Sequence, residues 1–200
     1  MTRAANEQRI GVMGGTFDPI HHGHLVAAEE ARHGFDLDRV LFVPVGAPWQ
    51  KSHEHVSPAP DRVAMVELAI ADNAAFELSR VDVDRDGPTY TIDTLRALAS
   101  DRPGAELFFV TGADAILEIL TWKDPQEALR LATFVAVTRP GHDLAGLRSL
   151  GIEDRVVLLE IPALAISSTD IRARVADGRP IRYLVPAPVE RYIRDHGLYT

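Results

Sequence analysis

The stretch Gly14–His24, GGTFDPIHHGH, decides how the rest of the chain is read. It follows a short apolar run, Ile10-Gly11-Val12-Met13, and precedes Leu25-Val26-Ala27-Ala28, where helix-favouring residues continue. The local plan is therefore strand, tight turn, helix. Gly14 and Gly15 are expected to supply backbone freedom and to let a bulky ligand reach main-chain amides with no Cβ in the way. Asp18-Pro19 sets a turn, and Gly23 keeps the backbone open between His21 and His24. Unpaired N–H groups and the dipole of a helix start attract phosphate, and two imidazoles beside them add donors. A plain βα turn with surface histidines would need only the glycine pair. The whole stretch, set directly after the first strand, favours phosphate binding.

Working outward, 200 residues with 46% hydrophobic content suit one α/β domain spanning residues 1–200. No apolar stretch reaches spanning length, and the start, MTRAANEQR, lacks the apolar core of a leader. A cytoplasmic chain without membrane contact is the expectation. The absence of cysteine rules out disulfides and thiolate chemistry. A net charge of −8 argues against a general nucleic-acid binder, which needs a basic face. It leaves room for a nucleotide enzyme, which needs only local positive charge. Lys51 and Lys123 are the only lysines among 21 basic residues, and both fall in loops singled out below.

Beyond the first helix, Arg39–Val45 reads as a buried strand leading into a polar loop, Gly46–Pro60, that has the character of a flap. Asp61–Asp72 is an amphipathic helix with Val63, Val66, Leu68 and Ile70 on its apolar side. Phe76–Val83 alternates as a strand near a sheet edge, and a helix runs from Thr91 to about Leu98. Leu107–Val110 is the most hydrophobic strand, followed by a helix over Asp114–Leu120. Asp124-Pro125 caps a further helix, and Thr133–Val137 and Val156–Ile161 are the last strands. Ser167 caps a helix that ends at Gly178, and a final helix stops at Gly197. Strands alternating with helices predict a doubly wound, mostly parallel sheet with helices on both faces, whose ligands sit beyond the C-terminal strand ends.

Three further constellations fall on that edge. Ile166–Arg172, ISSTDIR, is a hydroxyl-rich helix start with an arginine one turn in, fit for a second anion. Gly112-Ala113-Asp114 ends a strand, where a carboxylate can accept from ribose hydroxyls. Trp122-Lys123 places an indole able to stack on a planar ring next to a cation. Pro88-Thr89-Tyr90-Thr91 leads into the helix that starts at Thr91. The histidines between His21 and His55 suggest a metal, but fixed spacing with a third carboxylate or thiolate ligand is missing. No protein-bound metal is expected; magnesium carried by phosphates is.

The stretch GGTFDPIHHGH resembles the HxGH signature of the nucleotidyltransferase α/β-phosphodiesterase superfamily, and within it the nicotinate mononucleotide adenylyltransferases of bacterial NAD synthesis. The likeness continues in SSTDIR, in the GxD…W arrangement and in the ending Val185-Pro186…Leu198-Tyr199. It implies a Rossmann-like nucleotidyltransferase fold and transfer of AMP from ATP to nicotinate mononucleotide, with release of pyrophosphate. It implies ATP contacts at Gly14, Gly15, Thr16, Phe17, His21, His24, Ser168, Thr169 and Arg172, with His21, His24, Lys51 and Arg172 as the catalytic set. Thr91 or Thr89, Gly112, Asp114, Trp122 and Lys123 would take the pyridine nucleotide, with Trp122 stacked on its ring. Where relatives commonly read Pro-His-Lys, this chain has Trp49-Gln50-Lys51. The cation is kept, the histidine contact is lost, and Trp49 is expected either to make the flap a gate that rests closed or to pack on the outer rim. Phosphopantetheine or another small-molecule nucleotidyl transfer is the enzyme alternative, which the indole and Pro88–Thr91 disfavour. A non-catalytic nucleotide sensor is the other, disfavoured by two histidines, a lysine and an arginine gathered for leaving charge. Neither nucleic acid nor membrane is an expected partner, and a homo-oligomer is left open.

Overall fold

The computed structural model describes residues 8–47, 56–138, 152, 154–162 and 164–200. Trp49, Gln50, Lys51, His53 and His55 lie outside the described residues, and so does the expected gate. The strands are β1 (Arg9–Gly15), β2 (Arg39–Pro44), β3 (Phe76–Leu78), β4 (Glu106–Gly112), β5 (Ala132–Thr138) and β6 (Val156–Glu160). They form a parallel sheet of order β3-β2-β1-β4-β5-β6. The helices are α1 (His22–Gly34), α2 (Ala59–Ile70), α3 (Thr91–Asp101), α4 (Ala113–Leu117), α5 (Pro125–Leu131), α6 (Ser168–Ala176) and α7 (Ala187–Asp195).

The central strands are apolar on both sides, as a sheet covered on two faces requires. Val40 and Phe42 of β2 and Phe108 and Val110 of β4 point to one face, where α1, α2, α6 and α7 bury Ala28, Met65, Ile171 and Val189. Their neighbours Leu41, Val43, Leu107 and Phe109 point to the other, against Ile92 and Leu95 of α3, Ile116 of α4 and Leu129 of α5. Each fully buried side chain of this size contributes roughly 2 kcal/mol. The winding reverses between β1 and β4, which pair directly with Val12 opposite Phe109. The crevice beyond their C-terminal ends is where such a sheet takes ligands.

Several boundaries differ from the sequence reading. The strand expected over Phe76–Val83 is an edge strand but stops at Leu78, because the chain then turns Asp82 inward to Thr94 and Arg85. The helix expected over Asp114–Leu120 ends at Leu117 and gives way to a 3-10 turn, Ile119–Thr121. There the Thr121 hydroxyl donates to the Glu118 carbonyl at 2.7 Å, a local bond that competes with the helical ladder. Asp124 does precede α5, but at φ 46° its side chain caps nothing; it pairs with Arg96 instead. The Ser167 cap accepts from the Asp170 amide at 3.1 Å, and Gly178 and Gly197 stand at φ 68° and 59°, as helix stops require.

Candidate active site

At the switch point two clefts open and meet over Gly14 and Thr111, which line both. The first lies toward β2 and is walled by Gly15, Thr16, Thr89, Tyr90, Thr91 and Trp122. The second lies over β4 and β5 and is walled by His21, Gly23, His24, Gly112, Asp114 and Ile166. Gly14 and Gly15 belong to β1 itself, with no positive φ, so the expected backbone freedom is not what they supply. A Cβ on Gly15 would stand 2.9 Å from the Phe17 ring, and this close approach is the requirement. Phe17 is in turn buried, its ring edge-on to His24 at 5.1 Å and tilted against Phe42, so only its backbone can serve a ligand.

His21 is the N-cap of α1 in extended conformation. Its amide donates to Nδ1 of His24 at 3.2 Å, and the two rings stack with centroids 3.7 Å apart. Because His24 accepts at Nδ1, its neutral ring carries the proton on Nε2 and can donate from there. Burial pushes the His21 pKa down to about 4, with repulsion from His22 adding to it. Burial, then repulsion from His21, holds His24 well below the usual histidine range. Both rings are therefore neutral donors waiting for a charge. Nδ1 of His21 is buried and has no hydrogen-bond partner among the described residues, the sort of orphan that marks a functional site. Gly23 permits this packing, since a Cβ there would lie 3.0 Å from the His21 ring.

The second anion motif folds onto the first. The Ser168 hydroxyl donates to the Pro19 carbonyl at 2.9 Å across 149 residues of sequence. Arg172 donates through Nη1 to the Asp18 carbonyl at 2.8 Å, and its Nη2 lies 3.4 Å from the Thr169 hydroxyl. These bonds tie the two stretches singled out in the sequence to each other; Ile166 lines the second cleft, whereas Arg172 lines a separate groove with Ser57 and Tyr199.

In the first cleft, Trp122 does two jobs. Its ring stands edge-on to Phe109 and Phe134 at 6.3 and 6.4 Å, while the half-buried indole still lines the cleft. Thr91 is the first residue of α3, so its N–H lies outside the helical ladder. Thr89 is committed elsewhere: its hydroxyl accepts from Gly46 N at 3.1 Å and its amide donates to the Ala47 carbonyl. It braces the exit of β2, whereas Thr91 sits at the helix start. Lys123 reaches Asp93 at 2.9 Å and lies over the Tyr90 ring at 4.7 Å, so its charge is shared at the rim. Gly112 and Asp114, grouped with Trp122 from the sequence, are exposed at the start of α4 and line the second cleft, not the one that Trp122 lines.

Sequence reasoning missed Asp82. It is 2% exposed, accepts from the Thr94 hydroxyl at 2.8 Å, pairs with Arg85 at 2.9 Å and lines the first cleft. Burial raises its pKa, against the pull of Thr94 and Arg85. In an alternating segment it reads as the solvent side of a strand, and no local signal separates the two.

Comparison with known proteins identifies the family. Residues 12–174 match the cytidylyltransferase-like family model. A probable nicotinate-nucleotide adenylyltransferase of Leifsonia xyli is 63% identical over 96% of this chain and 94% of its own. One from Streptomyces coelicolor is 60% identical over 94% of this chain and 98% of its own. Among solved structures, the Plasmodium falciparum nicotinic acid mononucleotide adenylyltransferase complexed with NaAD superposes with a TM-score of 0.81 over 96% of this chain and 98% of that one. At 20% identity that likeness bears on the fold alone. The sequence identity carries the rest: the chain belongs to the cytidylyltransferase-like family and, within it, to the nicotinate-nucleotide adenylyltransferases.

Proposed function

We propose that this chain transfers AMP from ATP to nicotinate mononucleotide, giving nicotinate adenine dinucleotide and pyrophosphate for NAD synthesis in the cytoplasm. The observation that carries the reading is the pair of clefts meeting over Gly14 and Thr111, one with an indole wall and the other with two neutral imidazoles at a helix start. Nicotinate mononucleotide takes the first cleft, with its ring on Trp122 and its carboxylate at the first-turn amides of α3. ATP takes the second, with a ribose on Asp114. A phosphate oxygen of the mononucleotide attacks the α-phosphorus in line; the bond to the β-phosphate oxygen breaks and pyrophosphate leaves. No protein nucleophile is needed, so catalysis rests on positioning and on stabilising charge. His24 donates from Nε2 toward the α/β-phosphate oxygens, and His21 beside it adds a second imidazole. Arg172, with Ser168 and Thr169, holds the leaving phosphates, and Lys51 is the further cation of the catalytic set.

Magnesium in this reading arrives on ATP oxygens and neutralises part of their charge. Among the described residues no group of three or more His, Cys, Asp or Glu side chains could hold a metal. Among the same residues no helix is long and apolar enough to cross a membrane. The test is pyrophosphate release from ATP with nicotinate mononucleotide, nicotinamide mononucleotide and phosphopantetheine side by side. Release with phosphopantetheine alone would overturn the reading.

A further inference from the structure

Behind the clefts the fold buries a charged cluster that the reaction leaves unused. Arg62 of α2 is 1% exposed. Its guanidinium donates to four main-chain carbonyls: Nε to Ser57 at 2.9 Å, Nη1 to Thr16 at 2.9 Å and Val45 at 2.8 Å, and Nη2 to Gly46 at 3.2 Å. Asp18, also buried, completes the knot. Its Oδ2 accepts from Ser57 N at 3.0 Å, and its Oδ1 accepts from the Tyr199 hydroxyl at 2.6 Å.

The four carbonyls are informative by position. Thr16 follows the end of β1, in the loop that leads to His21; Val45 and Gly46 leave β2; Ser57 enters α2. All lie past the ends of the sheet, where no neighbouring strand can pair them. A buried carbonyl without a donor is costly, and only the five-donor fork of an arginine can reach four at once. A buried arginine is an expensive way to fill a core, and an apolar side chain of similar volume is often as stabilising. What the guanidinium adds is geometry: it fixes the two ends of residues 46–57 to the loop carrying the first anion motif. The same loop holds the second motif, because the Asp18 carbonyl accepts from Arg172.

We propose that Arg62 is a positioning residue of the active site. It clamps the Gly14–His24 loop to both ends of the 46–57 segment, and Asp18 and Tyr199 extend the clamp to the C-terminal segment. This rests on the reading of that loop as the ATP loop. A loop shifted by about 1 Å would misalign His21, His24 and Arg172 together, a displacement of the kind that costs on the order of 10²-fold in rate.

Arg62→Lys keeps the charge beside Asp18 but cannot span four carbonyls; Tyr199→Phe leaves Arg62 and removes one bond to Asp18. Both are measured for thermal midpoint, circular dichroism, kcat, both KM values and ATP affinity by calorimetry, at a temperature well below each midpoint. Folded Arg62→Lys should lose at least tenfold in kcat, and Tyr199→Phe at least threefold. A purely structural role would lower the midpoint and leave kcat and ATP affinity within twofold, and that result overturns the proposal. If Arg62→Lys does not fold, Tyr199→Phe decides by the same limits. If the wild type turns over none of the acceptors, the functional reading fails by itself. The clamp is then judged on ATP affinity, where a loss of threefold or more in either folded variant upholds it and a smaller change overturns it.

Discussion

The buried His21 ring makes the fold sensitive to mild acid in a way that can be isolated. Its pKa is about 4 in the folded chain against 6.5 for the free side chain. As pH falls below 6.5, the unfolded chain takes up a proton that the folded ring refuses until about 4. Stability therefore drops as pH falls through this window and is fully present above it. At about 1.4 kcal/mol per pH, the loss reaches about 2 kcal/mol at pH 5 and about 3 kcal/mol below pH 4. His24 shifts in the same direction, so the wild type is steeper still. Carboxylates titrate nearby, and a difference measurement removes them. Urea unfolding of wild type and His21→Asn is followed between pH 7.5 and 4.5. The wild type should lose about 2 kcal/mol relative to the variant between pH 7.5 and 5. Profiles that stay parallel within about 0.5 kcal/mol would mean that His21 titrates freely in the folded protein. The account of two neutral donors would then be wrong.

Other expectations follow from single contacts. His24→Ala should fold yet lose 10²–10³ in kcat, about the effect of deleting one preorganised donor; a folded variant within threefold of wild type would remove His24 from the catalytic set. Gly46→Ala places a Cβ 2.4 Å from the Asp82 carbonyl oxygen, and overpacking of this kind costs about 1–3 kcal/mol, or roughly 2–10 °C in the thermal midpoint; an unchanged midpoint would refute the close approach of the two loops. Nicotinate mononucleotide should be preferred over the nicotinamide form, measured as the ratio of kcat/KM values. Since Lys123 is already paired with Asp93, Lys123→Gln should change that ratio by less than about threefold, and loss of the preference would instead give the lysine the carboxylate.

Local chemistry is readable where one short stretch holds its own determinants. The Ser167 cap and the glycine stops need only a few neighbouring residues, and the structure keeps them. The doubly wound sheet is readable because apolar runs and helical stretches alternate along the whole chain. The end of β3 is not, since it depends on Thr94 and Arg85 receiving Asp82. From sequence Trp122 fits either a stacking platform or the core; it packs on two phenylalanines and lines a cleft, and a single sequence cannot show two faces of one ring.

Helix α2 shows how a correct pattern can hide a functional residue. Its apolar side reads from Val63, Val66, Leu68 and Ile70, yet Leu68 is 37% exposed while Arg62 is 1% exposed. Met65, Val66 and Ala69 stand three, four and seven positions after Arg62, and all are buried. That spacing is one helical stripe, so the arginine occupies a core position in an otherwise apolar row. Hydrophobicity counts read a charge there as a break in the stripe and move on. Physically the opposite inference is stronger, because a charge in a core row is tolerated only where partners compensate its burial. Those partners here are carbonyls of loops around the active site, supplied by residues as far apart as Thr16 and Ser57. The stripe is visible in the sequence; the reason for its exception lies in the loops it holds.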